Sequence, residues 1–167
     1  GVGVAAANIP SKYGGEILLL AEQFPSNVYP WRARGQKTGE RVTHVQRQGD
    51  DWTTPLLNAI NDETSLVAIP NCHWADGTRV DLEAVGAAVR KVGGFLLLDA
   101  TQSLGALPIH MERVQPDFVV AAAYKWLMGP YSMAFMYVAE EHWEGAPLEH
   151  NWITRKDSHQ FADLVHY

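Results

Sequence analysis

The sequence predicts an α/β protein, a mainly parallel sheet with helices on both faces. Three observations lead there. Short, continuous apolar runs recur along the chain, the pattern of strands buried on both sides. Helix-like stretches separate them, the clearest running from Leu82 to Val92. The chain has 167 residues, 47% of them hydrophobic, so a sizeable core is available. A chain near 150 residues buries roughly 68–70% of its unfolded surface.

Taken in order, Ile17 to Leu20 is an apolar run between Gly14-Gly15 and Glu22, which reads as a buried strand. Thr54 followed by Pro55 reads as a helix start, with Leu56, Leu57 and Ile60 on one face. Leu66 to Ile69 is a second strand, closed by Pro70. Asp81 caps a helix whose Leu82, Val85, Ala88, Val89 and Val92 share a face, stopped by Gly93-Gly94. Phe95 to Leu98, Phe118 to Ala122 and Ala134 to Val138 are three further strands. Phe161, Leu164 and Val165 recur like the start of another helix.

Composition removes several classes of function. With 13 basic and 19 acidic side chains the net charge is −6, which argues against nucleic acid as a partner. The longest apolar runs, such as Phe118 to Tyr124, reach seven residues, well short of the ~20 of a membrane span. Cys72 is the single cysteine, so no internal disulfide forms, and a reducing, cytoplasmic setting fits. The seven histidines show no metal-ligand spacing, so no metal site is expected. Gly1-Val2-Gly3 lacks the third glycine of a dinucleotide loop, and neither a nucleophile elbow nor a P-loop is present.

In open α/β sheets ligands gather beyond the carboxyl ends of the strands, so polar residues directly after apolar runs are the candidates. Asn71, His73 and Asp76 follow one run, Asp99, Thr101 and Gln102 another, and Tyr124 and Lys125 a third. Lys125 stands between seven apolar residues and Trp126-Leu127-Met128. Desolvation there would disfavour its ammonium form, the condition a Schiff-base lysine needs. A strand-end lysine reaching out to water satisfies the same spacing. Asp99 is delivered to a strand end where its carboxylate needs a cation or hydrogen-bond donors. A protonated pyridine nitrogen would serve, and so would the amino end of a following helix.

Together, Phe24-Pro25-Ser26-Asn27, Asn71 to Thr78, Leu98 to Ser103 and Ala123-Tyr124-Lys125-Trp126-Leu127 resemble the class V aminotransferases in order and spacing. This fold-type-I pyridoxal phosphate group includes kynureninases, cysteine desulfurases and isopenicillin-N-epimerase-like proteins. The resemblance implies pyridoxal 5'-phosphate as cofactor, an amino acid as substrate and a homodimer when full length. It makes Lys125 the lysine that forms the Schiff base and then moves the substrate Cα proton. Asp99 becomes the carboxylate that keeps the pyridine nitrogen protonated, and Gln102 the donor to the phenolic oxygen. Phe24 is similar to the aromatic that stacks on the ring, with Ser26 and Asn27 beside it. Tyr124 matches a tyrosine that reaches the phosphate. His73 lies on a loop approaching the site, where a structural histidine is the competing reading. Trp152 resembles a tryptophan that reaches a site across a dimer interface, and packing is its ordinary alternative.

Departures from the family pattern narrow the expectation. Ala122 and Ala123 stand where relatives hold the phosphate with a Ser, Thr or His, and Phe24-Pro25 replaces the histidine that covers the ring in desulfurases. Cys72 is expected at the wrong strand end to be a desulfurase nucleophile, and Gln102 departs from the histidine of kynureninases. The expected function is thus a pyridoxal-phosphate enzyme of an epimerase- or kynureninase-like branch. A catalytically inactive binding or scaffold module, or a cysteine desulfurase, is the alternative. By the same resemblance, residues 1–167 are part of the large, cofactor-binding domain, roughly 40% of a full relative by domain-size norms. The glycine-rich phosphate loop is expected before Gly1 and the small domain after Tyr167, and the isolated piece is expected to bind cofactor weakly or not at all.

Overall fold

The computed structural model describes residues 1–160 and residue 162. The helical repeat at Phe161, Leu164 and Val165 lies outside the described residues. The architecture is a six-stranded sheet between helices. The strands are β1 (Glu16–Leu20), β2 (Arg41–Val45), β3 (Thr64–Pro70), β4 (Phe95–Asp99), β5 (Phe118–Ala122) and β6 (Ala134–Val138). The helices are α1 (Val2–Asn8), α2 (Tyr29–Thr38), α3 (Thr53–Ala59), α4 (Leu82–Lys91) and α5 (Met111–Val114). The strand order is β2-β1-β3-β4-β5-β6, with β1 to β5 parallel and β6 antiparallel to β5.

The continuous apolar runs become intelligible once both faces are covered. Alternate residues of one strand serve opposite cores, so neither position tolerates a polar side chain. Leu18, Leu20, Val67, Ile69, Leu96 and Leu98 face Trp52, Leu56, Val85, Val89 and Val114 from α3, α4 and α5 and their flanks. Ile17, Leu19, Leu66, Ala68, Leu97 and Phe118 face Ala5 and Ile9 at α1 and Val28 and Trp31 at α2. β6 is the exception, since four of its five residues are exposed.

Local caps follow their chemistry. The Asp81 carboxylate accepts the Ala84 amide at 3.0 Å, α4 buries Leu82, Val85 and Val89, and Arg90 and Lys91 occupy its last turn. At α3 the start differs from expectation. The helix begins at Thr53, and Asp51 takes both the Thr53 and Thr54 amides, at 2.7 and 3.2 Å. Thr54 therefore sits inside the first turn, because a carboxylate two residues upstream outcompetes a hydroxyl for the free amides. Hydrogen bonds from the Thr54 side chain first, then from the Thr54 and Thr53 amides, hold the Asp51 carboxyl below its ordinary range.

Candidate functional site

The strand order reverses direction at β1 and β3, and a cavity of about 450 Å³ opens at the carboxyl ends of β1, β3, β4 and β5. Four strand ends lead the chain to it. After β1 the backbone turns left-handed at Glu22 (φ 54°), a conformation costing of order 1 kcal/mol in a residue with a side chain. Trp74 Nε1 donates to the Glu22 carbonyl at 2.6 Å and holds that turn. Phe24 comes next, edge-on to Trp74 with ring centroids 5.4 Å apart, and both rings line the cavity.

Beneath Phe24 lies Gln23, a buried side chain with every polar atom used. Its oxygen accepts the Leu20 amide at 3.2 Å, and its nitrogen donates to the Ala68 and Asn27 carbonyls at 3.0 and 2.8 Å. Gln23 thereby pins the Phe24–Asn27 turn to β1 and β3. Ala21 and Glu22 separate it from the first apolar run and no family motif marks it, so sequence reasoning missed it.

β4 ends at Asp99, which is partly buried on the cavity wall. One carboxylate oxygen accepts the Thr101 amide at 3.1 Å, so the group is oriented by its own turn. Gln102 lines the same cavity. β5 ends at Ala122, and the turn behind it carries Tyr124 and Lys125 to the cavity. Tyr124 stacks on Tyr131 at 4.5 Å, and Lys125 Nζ lies 6.0 Å from the centre of the Tyr124 ring. Lys125 is partly buried, and among the described residues no carboxylate pairs with it. The structure thus gathers Lys125, Asp99, Gln102, Phe24, Ser26 and Tyr124 around one cavity.

Two expected site residues sit elsewhere. Asn27 is fully buried behind the wall, its oxygen accepting Trp31 Nε1 at 2.8 Å. Its amide nitrogen has no hydrogen-bond partner among the described residues. His73 is also buried, its ring stacked on Trp52 with centroids 4.7 Å apart and Nε2 donating to the Ala21 carbonyl at 3.1 Å. The turn after β3 directs alternate side chains to opposite sides, so Cys72 and Trp74 face the cavity and His73 the core. Trp152, half-exposed, lies in a short turn of 3₁₀ helix and is not part of the cavity wall.

Cys72 is a correction in the other direction, since it shares the cavity with Lys125. Its Sγ donates to the Gly77 carbonyl at 3.2 Å, and burial, reinforced by Asp76, pushes the thiol above its ordinary pKa. A protonated thiol is a poor nucleophile. Gly1 to Gly3 also reach the wall, as the start of α1 and not as a loop following a strand. At the opposite end of β5, Asp117 and His142 are hydrogen-bonded at 2.8 Å beside Glu141, a grouping that sequence spacing does not reveal.

Comparison with known proteins identifies the family. The sequence profile of aminotransferase class-V matches residues 2–151. An uncharacterized aminotransferase, YcbU, of Bacillus subtilis (strain 168) is 29% identical over 83% of this chain and 37% of its own length. A kynureninase of Bacillus mycoides (strain KBAB4) is 28% identical over 89% of this chain and 36% of its own. The chain therefore spans just over a third of the curated relatives it matches. Among solved structures, a C-DES mutant with glycine covalently linked to its PLP cofactor superimposes with a TM-score of 0.75. That match has 23% identity over 84% of this chain and 38% of the other, a likeness of fold. With the profile covering most of its length and the strand-end residues gathered at one cavity, the chain belongs to the class-V aminotransferase family.

Proposed function

We propose that this chain forms the central part of the large domain of a pyridoxal-phosphate enzyme acting on an amino acid. The observation that carries the reading is the meeting of Asp99 and Lys125 at one cavity from the ends of adjacent strands. The donor set suits the group. A primary amine can bond an aldehyde, a carboxylate can hold a pyridine nitrogen protonated, and an aromatic wall accepts a flat ring. When bound, pyridoxal phosphate supplies an electron sink for the bonds at the substrate α-carbon.

The remaining work belongs to the protein. Lys125 holds the cofactor aldehyde and, once free, its amine takes and returns the α-proton. Asp99, with one oxygen fixed by the Thr101 amide, presents its charge in a set direction and needs no reorganisation during reaction. Gln102 supplies a neutral amide donor, and Phe24, braced by Gln23 and Trp74, excludes water from one side. Burial pushes the Cys72 thiol above its ordinary pKa, which disfavours it as a desulfurase nucleophile. The motifs support an epimerase- or kynureninase-like reaction, the family resemblance a homodimer of the longer protein, and the single cysteine a cytoplasmic setting. Among the described residues no helix is long and apolar enough to cross a membrane.

Incubation with excess pyridoxal phosphate, borohydride reduction and peptide mass spectrometry test the assignment. The adduct is expected on Lys125 and absent from Lys125→Ala. Equal labelling of the variant, or labelling spread over the other lysines, sinks the proposal.

A further inference from the structure

β4 and β5 pair only from Leu97–Phe118 to Asp99–Val120. Beyond that point the Ala100 amide still donates to the Val120 carbonyl, at 2.7 Å, and then the β4 backbone turns away through Thr101 and Gln102. The next amide of β5 on that side belongs to Ala122, and it has lost its strand partner. Thr101 replaces it, its Oγ1 accepting the Ala122 amide at 3.1 Å. The Thr101 hydroxyl is thus one extra rung of the ladder, supplied by a side chain.

That rung stands at the root of the turn that carries Lys125. The segment from Ala122 to Lys125 is anchored on its β6 side by the Ala123 amide donating to the Met133 carbonyl at 3.0 Å. On its β4 side, among the described residues, Thr101 is the anchor. The same residue gives its own amide to Asp99 Oδ1 at 3.1 Å. One residue therefore touches both the Asp99 carboxylate and the base of the Lys125 turn, whose separation the site depends on. Its hydroxyl hydrogen finds no acceptor among the described residues, and Thr101 lines the cavity.

We infer that Thr101 is a positioning residue, which fixes the Lys125 turn against the Asp99 carboxylate through its side-chain rung to Ala122. The role rests on the proposed binding of pyridoxal phosphate at Lys125. Thr101→Val keeps the shape but removes the acceptor and leaves the Ala122 amide unpaired, whereas Thr101→Ser keeps the acceptor.

Two readouts on the full chain test this. In the chain alone, Thr101→Val is expected to speed Ala122 amide exchange about tenfold while Val119 and Val120 exchange as in the parent. With subsaturating pyridoxal phosphate and borohydride, its Lys125 adduct is expected to fall about tenfold relative to adducts on other lysines. Thr101→Ser should match the parent in both. A Thr101→Val chain that is merely less stable, with the parent's adduct yield on Lys125, overturns the positioning role alone. So does a folded Thr101→Ser chain that loses the adduct. Absence of any Lys125 adduct both in the parent with excess pyridoxal phosphate and in the longer protein overturns the cofactor reading and this role with it.

Discussion

Arg34 and Glu40 form a two-pronged ion pair, with Nε 2.8 Å from Oε2 and Nη2 2.9 Å from Oε1. Arg34 also donates to the carbonyls of Ile9 and Pro10, and the Ser65 hydroxyl donates to Glu40 at 2.6 Å. The pair therefore ties the α1 exit and the end of α2 to the amino end of β3, opposite the cavity. Burial by itself would raise the Glu40 carboxyl, but hydrogen bonds from Arg34, Ser65 and Thr38 bring it down to about 2.

This pair sets an acid limb on stability. A free glutamate titrates near 4.5, so below that the unfolded chain takes up the proton and the folded chain resists it. The contribution is complete above about pH 5 and fades as pH falls towards 2, a loss of about 3 kcal/mol. Urea midpoints between pH 7 and 3 should fall less steeply for Glu40→Gln than for the parent. Ser65→Ala, which removes one donor, should shift the limb to higher pH. Parallel limbs in all three chains would count against the assignment.

Gln23 offers a test of the wall beneath Phe24. Gln23→Leu strands the Leu20 amide and the Ala68 and Asn27 carbonyls in the core, at about 1–3 kcal/mol for each buried group left unmade. A total loss of about 3 kcal/mol in urea unfolding is expected. Gln23→Glu should do little better, since a carboxylate cannot donate to the two carbonyls. A neutral Gln23→Glu would show that the amide brace is not needed.

Gly105 lets the chain after Asp99 pass close to Trp126 in the Lys125 turn. Its φ is 96°, and a Cβ there would stand 3.0 Å from the Trp126 carbonyl oxygen. Gly105→Ala should cost about 2 kcal/mol and lower Tm by roughly 4–8 °C in a thermal scan. An unchanged Tm would mean that the two turns separate freely.

Asp99→Asn is expected to keep the fold and the Lys125 adduct while turnover of an amino-acid substrate by the longer protein falls roughly 10²–10³-fold. Single-turnover kinetics on the pair of proteins gives that ratio, and a fall below tenfold would remove Asp99 from its role.

How much of this was legible beforehand depends on which side chains meet the core. Four of the five apolar strands read correctly because burial on both faces leaves nothing polar in their apolar runs, and β6 read correctly from its apolar sequence although four of its five residues are exposed. β2 escaped notice because Arg41 to Val45 is an edge strand, mostly half-buried, with arginine, threonine and histidine among its five residues. α2 escaped for the converse reason. It buries Arg34 and Gly35 beside Trp31, so its inward face has no apolar period. α1 and α5 are short, at seven and four residues, and α1 carries a glycine and a run of alanines. Lys125, Asp99, Gln102 and Tyr124 were visible as polar residues closing apolar runs. His73 and Asn27 misled because a motif gives sequence neighbours, whereas alternate side chains of a turn face opposite ways. Thr101 stood in plain view after β4, but a rung to Ala122 depends on where two strands part company.

The strand order also sets a timetable for assembly. Once β1 and β2 have paired, each later strand joins the growing edge in the order in which it leaves the ribosome. Every strand after β1 has a partner already made when it emerges, while β1, β3, β4 and β5 each gain their second neighbour later. Lys125 comes after the last parallel strand, so the cavity cannot trap a ligand before the sheet beneath it is built. Pulsed hydrogen exchange during refolding should protect β1 and β3 before β5 and β6, and simultaneous protection would show that the sheet condenses as one unit.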